Sequence, residues 1–331
     1  MSRELQSLSE PLSATAPCGA SLDDSPLLAS FDAYRLFGQV TAIEPPPNWG
    51  EIKAKSAEAL AMSKDLRLLT YLAAAVLRTD GVPAFFETVS AAAQWLESFW
   101  DAVYPLIDED ALLRRNALNC FADRVAVIDA LRRGALITHT RLGAVSVRDV
   151  DIASGQLTLP EGDARQPDET QINAIFTESP IEAIAAALAS VEGALAAVRR
   201  IETAMVEHAG IEAAPALEPL TTYLTRAQKI IRDRIAVHPD AARAGVAVGN
   251  GADNGAGGHV AVLGSIRSRE DAIRALDAVA AFFRQTEPSS PIPLIVERAK
   301  RLVSKDFLEV LAELVPDAIA QAKAASGIRE N

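Results

Sequence analysis

The chain has 331 residues, of which 44 are acidic and 32 basic, giving a formal net charge of −12, and 49% of residues are hydrophobic. This balance belongs to a folded protein of about two or three domains and excludes a largely disordered chain. It also excludes a surface that coats DNA or RNA, because phosphate binding needs clustered Lys and Arg.

Residues 1–47 read as an extended segment ending in Pro45-Pro46-Pro47. Asn48 then predicts a helix cap, with Glu51 three residues on and Trp49 at the entrance. A second helix is expected from about Asp65 to Thr79, stopped by Gly81. The third carries Phe86, Val89, Ala93, Leu96 and Trp100 before Tyr104-Pro105 breaks it. A fourth is expected from about Asp110 to Arg133. Between Leu136 and Leu159, Val145-Ser146-Val147 and Val150-Asp151-Ile152 predict a small hairpin or extended arm, closing a domain over 48–159.

Residues 160–244 form an acidic stretch in which Pro180 to His208 and Leu217 to Val237 predict a helical hairpin. The run 245–258, rich in glycine and without aliphatic periodicity, reads as a flexible linker. Three helices are expected over 259–331. The first follows a Ser268-Arg269-Glu270-Asp271 capping box and carries Phe283; the second starts at Ser290-Pro291 and carries Leu294, Ile295, Ala299 and Leu302. The last carries Phe307, Leu311 and Leu314. A neutral 73-residue module with so many apolar stripes buries only a limited core, so surplus faces favour self-association. The fold class is therefore mainly α: a helical bundle with a small β element, a middle helical hairpin and a C-terminal three-helix oligomerisation module.

Catalytic patterns are scarce. His139, His208, His238 and His259 lie far apart in sequence, and none has a second His or Cys at ligand spacing. The acids of Asp108-Glu109-Asp110 suit a helix start better than a calcium loop. No phosphate-binding glycine motif occurs, and no cofactor is implied. Cys18 and Cys120 are too few for a disulfide framework and suit a reducing compartment. The start, Met1-Ser2-Arg3-Glu4, leads into no apolar stretch, so a cytoplasmic chain is expected. The longest uncharged apolar run, Leu68 to Leu77, is well short of the about 20 residues that span a membrane, so no span is expected. Ser63-Lys64-Asp65-Leu66-Arg67 offers a helix cap together with a candidate partner contact at Lys64, Asp65 and Arg67. Trp95, Phe99 and Trp100 continue a helical stripe and are expected in the core.

Several short motifs, in order, carry a family resemblance. Asn48-Trp49, Ser63 to Arg67, Phe99-Trp100-Asp101, Pro105-Leu106, Asp108 to Asp110, Arg115-Asn116-Ala117-Leu118 and Val145 to Val150 together resemble the ImpA-type N-terminal domain of the TssA family of bacterial type VI secretion. Arg269 to Ala272, Glu287-Pro288-Ser289-Ser290-Pro291, Arg298 to Leu302 and Asp306 to Glu309 are similar to the tail of short members. The resemblance covers about residues 11–155 and 265–320. It implies a cytoplasmic, non-enzymatic assembly factor, a homo-oligomer whose C-terminal region forms a ring that helps build a contractile tail. The implied partners are baseplate components, the Hcp tube, the sheath and the membrane complex. The expected interface or module core is Phe283, Pro288, Ser289, Ser290, Pro291, Leu294, Ile295, Leu302, Phe307, Leu311 and Leu314, with partner contacts at Trp49, Lys64, Asp65 and Arg67. The alternatives are a small-molecule-binding enzyme or regulator, marked by a closed pocket with converging polar groups, and a monomeric helical adaptor.

Overall fold

The computed structural model describes residues 7–42, 44–107, 111–157, 168–241, single helical positions between 273 and 284, and 292–303. It divides into two compact units, Met1–Gly249 and Asn250–Asn331. The division falls inside the glycine run, which itself lies outside the described residues.

In the first unit, Ser25 caps α1 (Pro26–Asp32), which begins on a proline that needs no N–H partner. Asn48 caps α2 (Trp49–Leu60) by accepting from the Glu51 amide, and Asp65 caps α3 (Leu66–Thr79) by accepting from the Arg67 amide. α3 is the spine of the bundle, with ten of its fourteen residues buried. It packs on α2 and on α4 (Val82–Ser98). Trp100 falls beyond the end of α4, although its spacing predicts it within that helix. The chain turns at Phe99 because the backbone past it has other partners: the Tyr104 amide bonds the Lys64 carbonyl at 3.0 Å, and the Leu66 amide bonds the Tyr104 carbonyl at 2.8 Å.

The long fourth helix expected from about Asp110 to Arg133 is instead broken. α5 (Leu112–Asn119) passes through a 3₁₀ turn at Cys120–Ala122 to Asp123, then a π-helical turn at Arg124–Ile128 and α6 (Asp129–Arg133). Asp123 causes the break. Its Oδ1 accepts from the amides of Val125 and Ala126, at 3.0 and 2.7 Å, which restarts the helix with the extended backbone of a cap.

β1 (Ala135–His139) and β2 (Gly143–Ser146) form an antiparallel hairpin in which Ile137 faces Val145. The extended reading of Val150-Asp151-Ile152 is overturned, since these residues lie in α7 (Val147–Ala153). Ser146 and Asp149 make a reciprocal capping box, and two satisfied helix-end donors outweigh the strand preference of Val and Ile. α8 (Glu169–Glu178), capped by Asp168, went unread in the sequence and packs on the hairpin.

α9 (Ile181–Ala209) and α10 (Glu218–Ala236) match the expected helical hairpin closely. α9 carries Ile181, Ile184, Leu188, Val191, Leu195 and Val198 inward at alternating steps of three and four, the seam of a helix packed lengthwise. That seam lies along α4 and α10, and a continuous core runs from Leu8 to Ile235. By length and composition α9 could cross a membrane, which counting uninterrupted apolar runs had passed over. Its buried stripe, each large side chain worth about 1.5 to 3 kcal/mol, serves the protein core instead.

The second unit contains helical positions at Ile273, Leu276, Asp277, Val279, Ala280, Phe283 and Arg284, and α11 (Ile292–Val303). Arg284 pairs with Glu297 at 2.8 Å and Lys300 with Asp277, a nested order that antiparallel helices produce. Ala280 and Val296 are buried.

Candidate functional site

The segment Lys64 to Arg67 is where the sequence concentrates its candidate contacts, and the structure gives each side chain a partner. Lys64 is 1% exposed; its Nζ donates to the Leu8 carbonyl at 2.7 Å and sits 4.7 Å from the centre of the Trp95 ring. Trp95 Nε1 donates to the same carbonyl at 2.7 Å. Burial pulls the Lys64 pKa down, against the fields of Cys18 and Glu10 that raise it. Asp65 is fully buried, and its carboxylate grips the Arg67 guanidinium, which reaches on to Asp23 at 2.6 Å. Burial alone would lower the Arg67 pKa, but hydrogen bonds to Asp65 and Asp23 prevail and raise it.

These contacts fasten residues 8–23 over the start of α3. Gly19 makes the close approach possible: its φ is +73°, and a Cβ there would lie 2.1 Å from the Met62 carbonyl oxygen. Lys64 and Asp65 thus hold internal positions, while Arg67 keeps 26% of its side chain exposed. Trp49 is half-buried beneath Arg78, whose guanidinium lies 3.9 Å from the ring centre and donates to the Ala74 and Ala126 carbonyls. Burial lowers the Arg78 pKa to about 10, so the charge persists at neutral pH.

Arg114 is a residue the sequence reading missed. It is 1% exposed and donates to the carbonyls of Trp100, Val103 and Pro105, which fixes the loop after α4. An arginine in a helix carries no sequence signal that its charge will be enclosed by carbonyls of the preceding loop.

In the second unit, Leu294 and Ile295 are 77% and 64% exposed, and Phe283 is half-buried. Pro288, Ser289, Ser290, Pro291, Phe307, Leu311, Leu314 and the side chain of Leu302 lie outside the described residues, as do Asp108 to Asp110 and His259.

Two of the histidines are held by backbone groups, and neither cysteine is activated. His139 Nδ1 accepts from the Leu142 amide, and buried His238 lies between the Ser179 carbonyl and the Asp240 amide. Burial pushes the Cys120 thiol up to about 12 and raises that of Cys18, so neither is a ready thiolate. Among the described residues, no group of three His, Cys, Asp or Glu side chains is placed to hold a metal ion.

Residues 9–123 match the family model described as ImpA, N-terminal, type VI secretion system. The matched region runs from the strap over α3 to the Asp123 cap and includes Lys64, Asp65, Arg67 and Arg114. The whole chain is similar to the type VI secretion system component TssA1 of Pseudomonas aeruginosa, with 29% identity over 94% of each chain. In fold it is similar to a solved N-terminal domain, including the conserved ImpA_N region, of the TssA component from Burkholderia cenocepacia. That match has a TM-score of 0.55 and 24% identity, covering 71% of this chain and 94% of the other.

Proposed function

We propose that this chain, which belongs to the TssA family of type VI secretion components, is a non-enzymatic structural part of that machinery. In this reading it resides in the cytoplasm and self-associates through residues 259–331 into a ring. The ring holds several N-terminal units around the baseplate and the growing tube and sheath. The observation that carries the reading is the similarity to a secretion component along 94% of both chains, which spans the tail as well as the ImpA-type region. Two features support it. The polar groups of Lys64, Asp65 and Arg114 are engaged in holding the fold, not in assembling reactive chemistry. α11 presents Leu294 and Ile295 side by side to solvent, and a pair of exposed large apolar residues suits a contact between copies. A ring of weak sites gains avidity of about 10² to 10⁴ over a single site when the target geometry permits.

Light scattering on the intact protein tests the ring, and binding to immobilised baseplate, tube and sheath components tests its use. An oligomer reduced in mass by Leu294→Asp combined with Ile295→Asp, with secondary structure retained, is the expected result. A monomer at micromolar concentration overturns the reading.

A further inference from the structure

A cleft of about 400 Å³ lies where α7, α10 and the turn at Ile128 meet. At one end the Asp151 carboxylate, on a residue 7% exposed, is held by Arg226, whose Nε and Nη2 reach the same oxygen at 2.9 and 2.8 Å. Its other oxygen faces Arg132 at 3.8 Å, too long for a hydrogen bond, and the Arg132 side chain is 43% exposed. Two guanidiniums therefore share one carboxylate, and this end keeps an excess positive charge. At the other end stands the exposed carboxylate of Glu218, which among the described residues accepts from Thr222 alone, at 3.2 Å. Eight residues of α10 separate Glu218 from Arg226, about 12 Å along the axis. Ile128, Val147 and Pro219 give the cleft apolar lining. Tyr223 lines the same cleft; it is 4% exposed, and its hydroxyl has no hydrogen-bond partner among the described residues.

We infer that this cleft binds an extended peptide segment of a partner protein, carrying a basic, an apolar and an acidic side chain at alternate positions. The spacing follows from strand geometry: alternate residues face one way, and five extended residues span about 13 Å between the first and last, close to the rise of α10 from Glu218 to Arg226, the residue that shares Asp151 with Arg132. The acidic side chain meets Arg132, the basic one meets Glu218, and the apolar one covers Ile128 and Pro219. The inference rests on reading the N-terminal unit as a binding domain, and it requires no ring.

The test uses the full-length protein and capped pentapeptides labelled for fluorescence polarisation. Lys-Ser-Leu-Ser-Glu should bind saturably and should weaken about tenfold or more when its Leu is replaced by Ser. Arg132→Glu should invert the charge preference, so that Lys-Ser-Leu-Ser-Lys binds more tightly than Lys-Ser-Leu-Ser-Glu. Glu218→Lys, on an exposed site, should shift the preference towards Glu-Ser-Leu-Ser-Glu. Absence of saturable binding, or preferences unmoved by both substitutions, overturns the inference. The oligomeric state, read on the same samples, reports separately on the ring.

Discussion

The indole of Trp100 and the imidazole of His208 stack with centroids 4.5 Å apart and planes 24° from parallel. One ring lies just past the end of α4 and the other in the last turn of α9. Arg114 lies 4.7 Å from the centre of the same indole, so the loop it fixes by three carbonyls also seats the end of the long helix. Trp100→Ala should cost about 1 to 3 kcal/mol in urea unfolding, and His208→Ala less. A double-mutant cycle should return a coupling of about 0.5 to 1.5 kcal/mol. Strict additivity would show that the stacking carries no energy of its own.

A second link between α4 and α9 depends on acid. Arg200 Nε donates to Glu97 at 2.6 Å, and this hydrogen bond holds the Glu97 pKa below its ordinary 4.5. A depressed carboxylate contributes stability above the unfolded value, and that contribution is lost as pH falls below about 4.5 through the folded value. Both side chains are more than 40% exposed, so solvent screening limits the pair to about 0 to 1 kcal/mol. Glu97→Gln should therefore lower stability slightly at pH 7 and flatten the acid limb of a stability profile. An unchanged slope between pH 5 and 3 would argue against the pair.

Asp123 has three amide partners, since its Oδ2 also accepts from Gly38 at 2.7 Å. Removing a cap costs about 0.5 to 2 kcal/mol, and here the loop containing Gly38 loses its tie as well. Asp123→Ala should lower stability by about 2 kcal/mol and raise amide exchange at Val125, Ala126 and Gly38. Asp123→Asn, which keeps an acceptor, should recover part of the loss. Unchanged exchange at all three amides would remove Asp123 as the cause of the break.

Ile201 is fully buried on α9, within the core that runs from Leu8 to Ile235. Ile201→Ala should cost about 2 to 5 kcal/mol. Because that core is shared, the loss should lower exchange protection in α3 and α4 as well as in α9 and α10. Loosening confined to α9 and α10 would mean that they form a separate cooperative unit.

Local signals were legible where one or two neighbouring residues decide the outcome. Asn48 and Glu51, the stop at Gly81, and the alternating three and four steps of α9 can all be read in a line of sequence. The break at Asp123 was not legible, because an apolar period of 3.6 continues through it, and only side-chain partners in space distinguish a cap from an exposed acid. Ser146 to Asp149 was a legible capping box masked by β-branched neighbours. The placement of Lys64 and Asp65 was the hardest to foresee. Charged residues at a helix start are usually solvated, and their burial depends on Leu8 and Asp23, far off in the chain.

The Leu8 carbonyl, shared between an ammonium and an indole N–H, also sets where the chain can be cut. A recombinant fragment beginning at residue 48, the start of the first strongly periodic helix, would retain Lys64 and Trp95 but discard the oxygen that both address. The cover over Lys64 and Trp95 would be gone, leaving apolar surface that the native chain buries open to water, and such a fragment invites insolubility that says nothing about the native protein. Fragments for binding work should begin upstream of Leu8, and a cleavable tag there should leave that carbonyl in place.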